Sequence, residues 1–229
     1  FSIMADKGPK KRTTALLTFD SFFNQFPHRE YKKRTTIFNA GWVPKDIYYL
    51  KRGYARTYAV SSDGQELTMV IFQPGDFFPL ISTITPKRVD YYIESLTEVE
   101  IIPVPRHLFI EFLKSRQELS TDLALRLTAR FEGVLIRMEH LVFGSAAQKV
   151  ASMIIILGER FVVKSDSTIT ILAPLTHKDL ASLVGITRET TTLILRNLAR
   201  KKYIAFQNRH LVIKNVKGLQ RESLTTPVG

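Results

Sequence analysis

The most regular hydrophobic pattern of the chain lies in residues 175–214. Apolar residues recur there every three to four positions in two short runs, which predicts two half-buried helices separated by a tight turn at Gly185. Thr187 is suited to cap the start of the second helix, because its hydroxyl can accept from a free backbone amide. The apolar positions are Leu180, Ala181 and Val184 in the first helix, and Ile194, Leu195 and Leu198 in the second.

The opposite face of the second predicted helix is polar. It begins with Arg188 and Glu189, and the helix runs into the basic residues 200–202. When the start of a helix lies in the major groove, Arg can pair with guanine and Glu can accept from cytosine N4. With wing strands predicted at 203–206 and 210–214, we interpret the segment as a winged helix-turn-helix. A helical hairpin with a solvated charged face is the alternative, which the basic run and the wing disfavour.

Residues 34–105 show a different pattern, in which short apolar runs of strand character alternate with turns. The pair Asp63-Gly64 between two such runs is a strong hairpin signal. Short strands at this spacing indicate a β-sandwich or jelly-roll barrel, preceded by a helix at 16–26. The predicted strands are 35–38, 47–50, 54–60, 66–72 and 93–105.

Three helices are predicted between these strands and the helix-turn-helix, at 106–114, 117–142 and 146–161. The apolar residues of the second follow heptad spacing, which is typical of a coiled-coil seam. A helix of about 26 residues is about 39 Å long, more than a small barrel covers, so we favour a parallel dimer over simple packing on the barrel. The predicted dimerisation residues are Leu123, Leu127, Phe131, Val134, Met138 and Leu141.

Phe143-Gly144-Ser145 marks the predicted hinge, since Gly and Ser are poor helix formers. The basic residues near the start of the chain are interpreted as a solvated tail, with a nucleic-acid-binding arm as the alternative. The three residues before Met4 fit a vector-derived extension. The predicted domains are a tail at 1–15, a β-barrel at 16–115, a dimerisation helix and hinge at 116–144, a winged helix-turn-helix at 145–217 and a tail at 218–229.

Composition narrows the class of protein. The 229 residues, 45% hydrophobic and 24% charged, suit a globular chain of two modest domains. Residues 145–229 hold 13 Lys and Arg against 5 Asp and Glu, so they carry most of the net charge of +12, as expected of a part that meets phosphates. Cysteine is absent and no apolar run approaches ~20 residues, so we expect no disulfide and no membrane span, and we expect the cytoplasm as the location.

The sequence carries no Walker-type glycine loop and no nucleophile elbow, so an enzyme is not expected. Its histidines are scattered without the spacing of metal ligands, so no metal site and no other cofactor is evident, and each is interpreted as a surface or hydrogen-bonded residue, with a haem ligand as the alternative. They are His28, His107, His140, His177 and His210.

Several of these features resemble the Crp/Fnr superfamily of bacterial transcription factors, which is named after the cyclic-AMP receptor protein and the fumarate–nitrate regulator. The resemblance covers about residues 16–219 and is most specific in Asp179-Leu180-Ala181 and in residues 185–190. Gly53, Asp63-Gly64, Pro74-Gly75-Asp76 and the long central helix also carry it. It implies an α+β fold: an amino-terminal β jelly-roll barrel of the kind that binds cyclic nucleotides, a long dimerisation helix and a carboxy-terminal winged helix-turn-helix.

By this resemblance, Arg188 and Glu189 contact bases and Thr187 contacts a phosphate. Many members of the superfamily have Arg at the position of Leu193. Because leucine cannot donate to guanine but can touch a thymine methyl, we expect a changed base pair there that is read with lower stringency. The predicted DNA-binding residues are Thr176, Thr187, Arg188, Glu189, Thr192, Leu193, Arg196 and Arg200.

The resemblance also implies an effector pocket in the barrel. Nucleotide-binding members have a Gly-Glu-x-Gly-like loop and an Arg followed by Ser or Thr that holds the phosphate. Asp76 could still accept from a ribose hydroxyl, but Arg88 lacks a hydroxyl partner and Asp90 would repel a phosphate. We therefore expect an effector other than cyclic AMP, or none, and the aromatic residues either line the pocket or fill it as core. The pocket residues are Gly75, Asp76, Phe77, Phe78, Arg88, Tyr91 and Tyr92.

These features predict a homodimeric, sequence-specific DNA-binding transcription regulator. Its expected partners are double-stranded DNA, a second copy of the chain and RNA polymerase, with no membrane. An effector would act by changing the angle at 143–145 and thereby the spacing of the two recognition helices. Two alternatives remain: a small-molecule-binding module whose basic domain binds nucleic acid loosely, and an architectural DNA binder without sequence preference.

Overall fold

A computed structural model describes residues 14–85, 87–165, 168–208 and 210–224. The described chain contains both helices and antiparallel sheets, and it divides into two compact units. The first unit comprises the described residues up to Gly64 together with Thr68–Phe131. The second comprises Gln65–Leu67 and the described residues from Glu132 onward.

The first unit is built on two four-stranded sheets, with strand orders β1-β8-β3-β6 and β2-β7-β4-β5. They confirm the predicted jelly-roll class, although in the described residues the two sheets stay separate and do not close into one barrel. Its elements are α1 (Thr14–Phe23), β1 (Arg29–Tyr31), β2 (Thr36–Phe38), β3 (Asp46–Arg52), β4 (Ala55–Val60), β5 (Glu66–Phe72), β6 (Phe77–Phe78), α2 (Leu80–Ile84), β7 (Tyr92–Ser95), β8 (Val99–Pro105) and α3 (Arg106–Lys114).

The strand predicted over 93–105 is in fact two strands, because the chain turns between Ser95 and Val99. The Thr97 hydroxyl lies in this turn and accepts from the Tyr54 amide at 2.9 Å. Gly53, next to Tyr54, has a φ of +86°, and a Cβ there would collide with the Glu98 carbonyl oxygen. The turn therefore needs glycine at 53, since only glycine combines a positive φ with so close an approach.

Two hydrophobic clusters stabilise the first unit. One joins α1, α3 and the start of the next helix to β3, and Phe19, Phe23 and Phe109 are wholly buried in it. The other lies between the sheets, where Leu50, Ile93 and other buried apolar residues meet. Burying each such side chain stabilises the fold by roughly 1.5–3 kcal/mol.

Helix α4 (Gln117–Phe143) is the predicted long helix, and its two halves have different surroundings. Leu123 is 5% exposed and belongs to the first cluster, and Leu127 packs against that cluster. That these two residues also belong to the dimer seam stays a prediction, and within the described chain both contribute to the core of their own unit. Further along, Phe131, Val134 and Met138 are each more than half exposed, and Leu141 is half-buried.

The second unit contains a sheet with strand order β11-β12-β10-β9, whose neighbouring strands are antiparallel. The predicted break after α4 is present, and Ser145 caps the next helix in a reciprocal pair with Gln148. Its elements are α5 (Ala146–Arg160), β9 (Val162–Ser165), β10 (Thr168–Ile171), α6 (His177–Val184), α7 (Arg188–Arg200), β11 (Ile204–Gln207), β12 (His210–Ile213) and α8 (Val216–Arg221).

Helix α8 was not predicted, and it overlaps the segment that the sequence suggested was a tail. Asn215 caps its start by accepting from the Gly218 amide at 2.8 Å, and Leu219 is wholly buried. Beyond the helix, the Leu224 amide donates to the Ser152 hydroxyl at 3.0 Å. Residues 218–224 are therefore part of the second unit, because a buried leucine and satisfied backbone groups hold them.

None of the helices in the described part of the chain combines the length and the hydropathy that crossing a bilayer requires.

Candidate nucleic-acid interface

Helix α6 begins with a reciprocal cap. The Thr176 amide donates to Asp179 Oδ2 at 2.8 Å, and the Asp179 amide donates to Thr176 Oγ1 at 3.2 Å. The Thr176 hydroxyl also donates to Asp179 Oδ2 at 2.7 Å. This exposed threonine was predicted to contact DNA, and the structure shows that its side chain also fixes the first turn of the helix.

The turn between α6 and α7 depends on Gly185, which has a φ of +67°. Thr187 follows and caps α7, as its position suggested, because its Oγ1 accepts from the Thr190 amide at 3.2 Å. The Thr187 and Thr190 hydroxyls are 2.9 Å apart. The Thr187 hydroxyl thus already has partners within the protein, and the predicted phosphate contact would be made from this exposed capping position.

Helix α7 has one buried side and one exposed side. Leu195 and Leu198 are 1% and 2% exposed, and buried Thr191 donates its hydroxyl to the Thr187 carbonyl at 2.9 Å. These contacts fix the orientation of the helix, because they bury apolar area and give the buried Thr191 hydroxyl a hydrogen-bond partner. The side chains of Arg188, Glu189, Leu193, Arg196 and Arg200 are all on the exposed side.

Thr192 is half-buried, and it connects α7 to a residue that the sequence did not single out for DNA binding. Its hydroxyl donates to the Arg188 carbonyl at 2.8 Å and lies 3.0 Å from His177 Nδ1. Because that hydroxyl has only one proton, His177 Nδ1 must donate to it. The His177 ring also lies 5.4 Å from the ring of Phe206 on β11, so His177 joins α6, α7 and the wing.

The pKa of His177 is lowered, first by burial and then by repulsion from Arg188 and Arg196. The three groups are therefore close enough to share one electrostatic environment at the exposed side of α7. The only sequence signal for His177 was its place directly after the capping Thr176, which is too weak to assign a role.

The basic residues after α7 differ in how much they are already engaged. Arg200 donates to Asn197 Oδ1 at 3.0 Å, and Lys201 Nζ lies 2.6 Å from Glu222 Oε1 on the carboxy-terminal segment. Lys202 is exposed and has a φ of +59°, which ends the helix before the first wing strand. A phosphate would meet Lys202 more readily than Lys201, because the ammonium of Lys201 is paired with a carboxylate.

The predicted effector pocket is filled where its loop enters the sheets. Phe77 and Phe78 are 4% and 1% exposed and belong to the two hydrophobic clusters. Asp76 accepts from the Gln73 amide at 3.0 Å and bonds the Arg130 guanidinium on α4. Asp76 therefore has partners that compete with a ribose hydroxyl.

Arg88 and Tyr92, two other predicted pocket residues, have partners of their own. Arg88 pairs with Asp90 at 2.8 Å, and both side chains are exposed. Tyr92 stacks on Tyr58 with ring centroids 5.2 Å apart, and burial raises the pKa of half-buried Tyr91. The interpretation of Phe77 and Phe78 as core is thus supported over the interpretation as ligand-lining residues.

The space between the sheets is occupied by aromatic rings and by one internal ion pair. Trp42 stacks on Phe38 at 3.9 Å and lies 5.7 Å from Tyr48. Arg56, 3% exposed, donates from Nε to Glu94 Oε2 at 2.7 Å. A buried guanidinium is the natural receptor for a phosphate, and this one is already neutralised by a carboxylate.

Two cavities of the first unit border its helices. A void of about 10 Å³ beside Gly75 and Leu123 has room for about one water. A more open hollow of about 330 Å³ lies between α1 and α3, where Leu17 and Phe112 line it with polar neighbours. In the described residues, no group of three His, Asp or Glu side chains is arranged to hold a metal ion.

Known proteins resemble the chain along most of its length. The family model of the cyclic nucleotide-binding domain matches residues 28–116, and that of the Crp-like helix-turn-helix domain matches residues 148–222. The global nitrogen regulator of Synechococcus elongatus is 27% identical over 195 residues, which cover 84% of this chain and 88% of that protein. Transcriptional regulator SdrP of Thermus thermophilus is 29% identical over 197 residues, which cover 82% and 93%.

The fold recurs in solved structures. FixK2 from Bradyrhizobium japonicum has a TM-score of 0.75 to this chain at 20% sequence identity, with 88% of this chain and 98% of that one covered.

Proposed function

The chain belongs to the Crp/Fnr superfamily of transcription regulators, and we propose that it binds a specific, near-palindromic DNA site as a homodimer. In this arrangement helix α7 of each protomer enters the major groove. The observation that carries the proposal is the exposed Arg188-Glu189 pair at the start of a helix whose other side is buried. Glu repels phosphates, so its place beside Arg suits the reading of bases better than nonspecific binding of the backbone.

The surface for dimerisation is the exposed apolar stripe of α4. It contains Phe131, Val134, Leu135, Met138 and Val142, which are between 45% and 66% exposed. Phe131, Leu135, Met138 and Val142 are four, three and four residues apart and Val134 adjoins Leu135, so all five lie on one side of the helix, as in a two-stranded coiled coil. This stripe begins one turn after Leu127, the last heptad residue that packs against the core of its own unit.

Regulation in this proposal does not use cyclic AMP. The rings of Phe38, Trp42, Tyr48 and Phe78 fill the space between the sheets, and Asp76 is bonded to Arg130. A cyclic nucleotide would have to displace these rings and this ion pair. An effector, if one acts through this unit, is therefore of a different chemical class and binds elsewhere than among these rings.

One relative is named as a global nitrogen regulator and another as a transcriptional regulator, and this supports a regulatory rather than a catalytic role here. RNA polymerase is the proposed third partner, and the cytoplasm is the proposed location. The alternative of a small-molecule-binding module with a loosely binding basic domain has weaker support, since its binding space is filled by core residues.

The test is in-vitro selection of double-stranded DNA followed by binding assays with Glu189→Ala. The protein is expected to select one inverted repeat. The wild type is expected to prefer the selected site over sites altered at one base pair of each half-site by roughly 1–3 kcal/mol of binding free energy. The variant is expected to lose this preference and to bind the altered sites about as well as the selected one. Lys217→Ala, at an exposed position of α8, is the control and should keep full discrimination.

Two results would contradict the proposal. In the first, no sequence is enriched and affinity falls steeply with salt, which is the behaviour of an architectural binder. In the second, Glu189→Ala changes the affinity for all sequences by the same factor, which means that the side chain does not read bases.

A further inference from the structure

Helix α4 makes a directed polar contact with the helix-turn-helix. The Arg137 guanidinium donates from Nη2 to the carbonyl oxygen of Leu183 at 2.6 Å. Leu183 lies in the last turn of α6 and is 3% exposed. The contact therefore joins the half of α4 that carries the apolar stripe to the first helix of the DNA-reading motif.

The contact has a clear physical role at the end of α6. The last carbonyls of an α-helix have no amide partner within the helix, and a buried one is costly to leave unpaired. A cation is also favoured there because the helix dipole is negative at this end. The left-handed turn at Gly185 directs the Gly185 and Ile186 amides to the Ala181 carbonyl, so the Leu183 carbonyl is served from outside the motif.

Packing alone would not require an arginine at this position. Burial lowers the pKa of Arg137 to about 10, which reflects the cost of removing a guanidinium from water. His140, one turn further along α4, is likewise buried, and its carbonyl accepts from the Gly144 amide at 3.1 Å. A leucine at 137 would bury apolar area without that cost, but it could not fix the direction of a helix end.

Helix α6 in turn holds the recognition helix. The two helices pack against each other, Leu180, Val184 and Leu195 are buried in them, and the His177–Thr192 hydrogen bond also links the two helices. A rotation of α6 about its end would therefore carry α7 with it.

We propose that Arg137 is a positioning residue that fixes the orientation of the DNA-reading helices with respect to the dimer helix. The inference rests on the proposed homodimeric DNA binding. In a symmetric dimer, this orientation determines how far apart the two α7 helices lie and hence which spacing of half-sites is bound. Arg137 makes no contact with DNA in this scheme.

The experiment measures affinity of the full chain for operators whose two half-sites are moved apart or together in steps of one base pair. The wild type is expected to lose about tenfold in affinity for each step. In Arg137→Met, the affinities for all the tested spacings are expected to differ by only about threefold in total. Its affinity for a single half-site is expected to stay within about twofold of the wild-type value. Arg137→Lys, which can still donate to the Leu183 carbonyl, should restore much of the selectivity for spacing.

Arg221→Met is the matched control, since it removes an exposed guanidinium from the same unit. It should leave the spacing profile unchanged. A wild-type profile in Arg137→Met overturns the inference. Equal losses on single and paired half-sites also overturn it, because they indicate damage to the fold of the reader. If the wild type itself binds no half-site, the proposed function fails first.

Discussion

Leu193 is an exposed apolar residue on the helix that we propose enters the major groove. It lies on the exposed side of α7 with 65% of its surface accessible, one turn beyond Glu189. An apolar side chain kept in that position costs solubility without adding to the core. We propose that a leucine is present at this position because it contacts a thymine methyl, the apolar group that the major groove offers.

Leu193→Arg should therefore change the preferred base pair at one position of each half-site. We expect the variant to acquire a preference for guanine worth about 1–3 kcal/mol, since Arg can pair bidentately with its O6 and N7. Binding of all four base pairs at that position, by wild type and variant, measures the effect. A strong guanine preference in the wild type would refute the proposed thymine contact.

His177 should make DNA binding depend on pH. Its pKa is lowered in the free protein by burial, Arg188 and Arg196, and phosphates that neutralise the arginines would raise it. A group with a higher pKa in the complex takes up a proton on binding, so affinity should increase as pH falls from about 8 to about 6. His177→Gln should remove most of this increase, as measured by titration at constant ionic strength.

His210→Gln is the control for that measurement. The His210 ring is held by the Ile171 carbonyl at 3.2 Å, so its loss should leave the pH dependence of binding largely intact. An unchanged slope in His177→Gln would show that the proton is taken up elsewhere.

The residues of α7 could be predicted because each of its sides has a uniform character, apolar or charged, and helical spacing assigns each residue to a side. Contacts between residues far apart in the sequence could not be predicted in this way. Asp76 and Arg130 are 54 positions apart, and neither shows in the sequence that it will pair with the other. His177 was missed for the same reason, since its hydrogen-bond partner Thr192 lies in another helix.

At the level of elements, α4 shows how one pattern can have two causes. Its heptad spacing is continuous from Leu123 to Leu141, yet the first two residues pack against their own unit, the next three are exposed and Leu141 is half-buried. A periodic sequence fixes which side of a helix is apolar but not what covers that side. The predicted boundaries of α3 were confirmed, whereas the short elements β1, β6 and α2 lack enough residues to show a period.

Two glycines of the second unit should respond to alanine in opposite ways. Gly133 lies within α4 with nothing near its missing Cβ, so Gly133→Ala should stabilise the protein by about 0.5–1 kcal/mol. Gly185 has a φ of +67°, so Gly185→Ala should destabilise it by about 1–2 kcal/mol. Urea denaturation measures both free energies of unfolding. A higher free energy of unfolding in Gly185→Ala would contradict this prediction, because it would mean that the turn adopts another conformation without strain.

For the whole molecule, the apolar stripe on α4 predicts a dimer that a single substitution to a charged residue can dissociate. Met138→Glu would place carboxylates at the centre of the seam, so the variant should be monomeric at concentrations where the wild type is dimeric. Light scattering after size exclusion gives the mass. The variant should also lose the gain in affinity that paired half-sites provide.

The control for this variant is Ala129→Glu, on an exposed position at the opposite side of the same helix. It should leave the mass and the DNA affinity unchanged. A dimeric Met138→Glu would contradict the proposed interface, because two carboxylates would then be tolerated where the helices are expected to touch.

Trp42 is the single tryptophan of the chain, and it stacks on Phe38 beside the second hydrophobic cluster of the first unit. Its ultraviolet emission therefore originates from that one location. Any compound that inserts among these rings would have to disturb the indole and alter its spectrum. The protein thus carries its own optical reporter for that cluster, and unlabelled material is enough to test whether a given compound enters it.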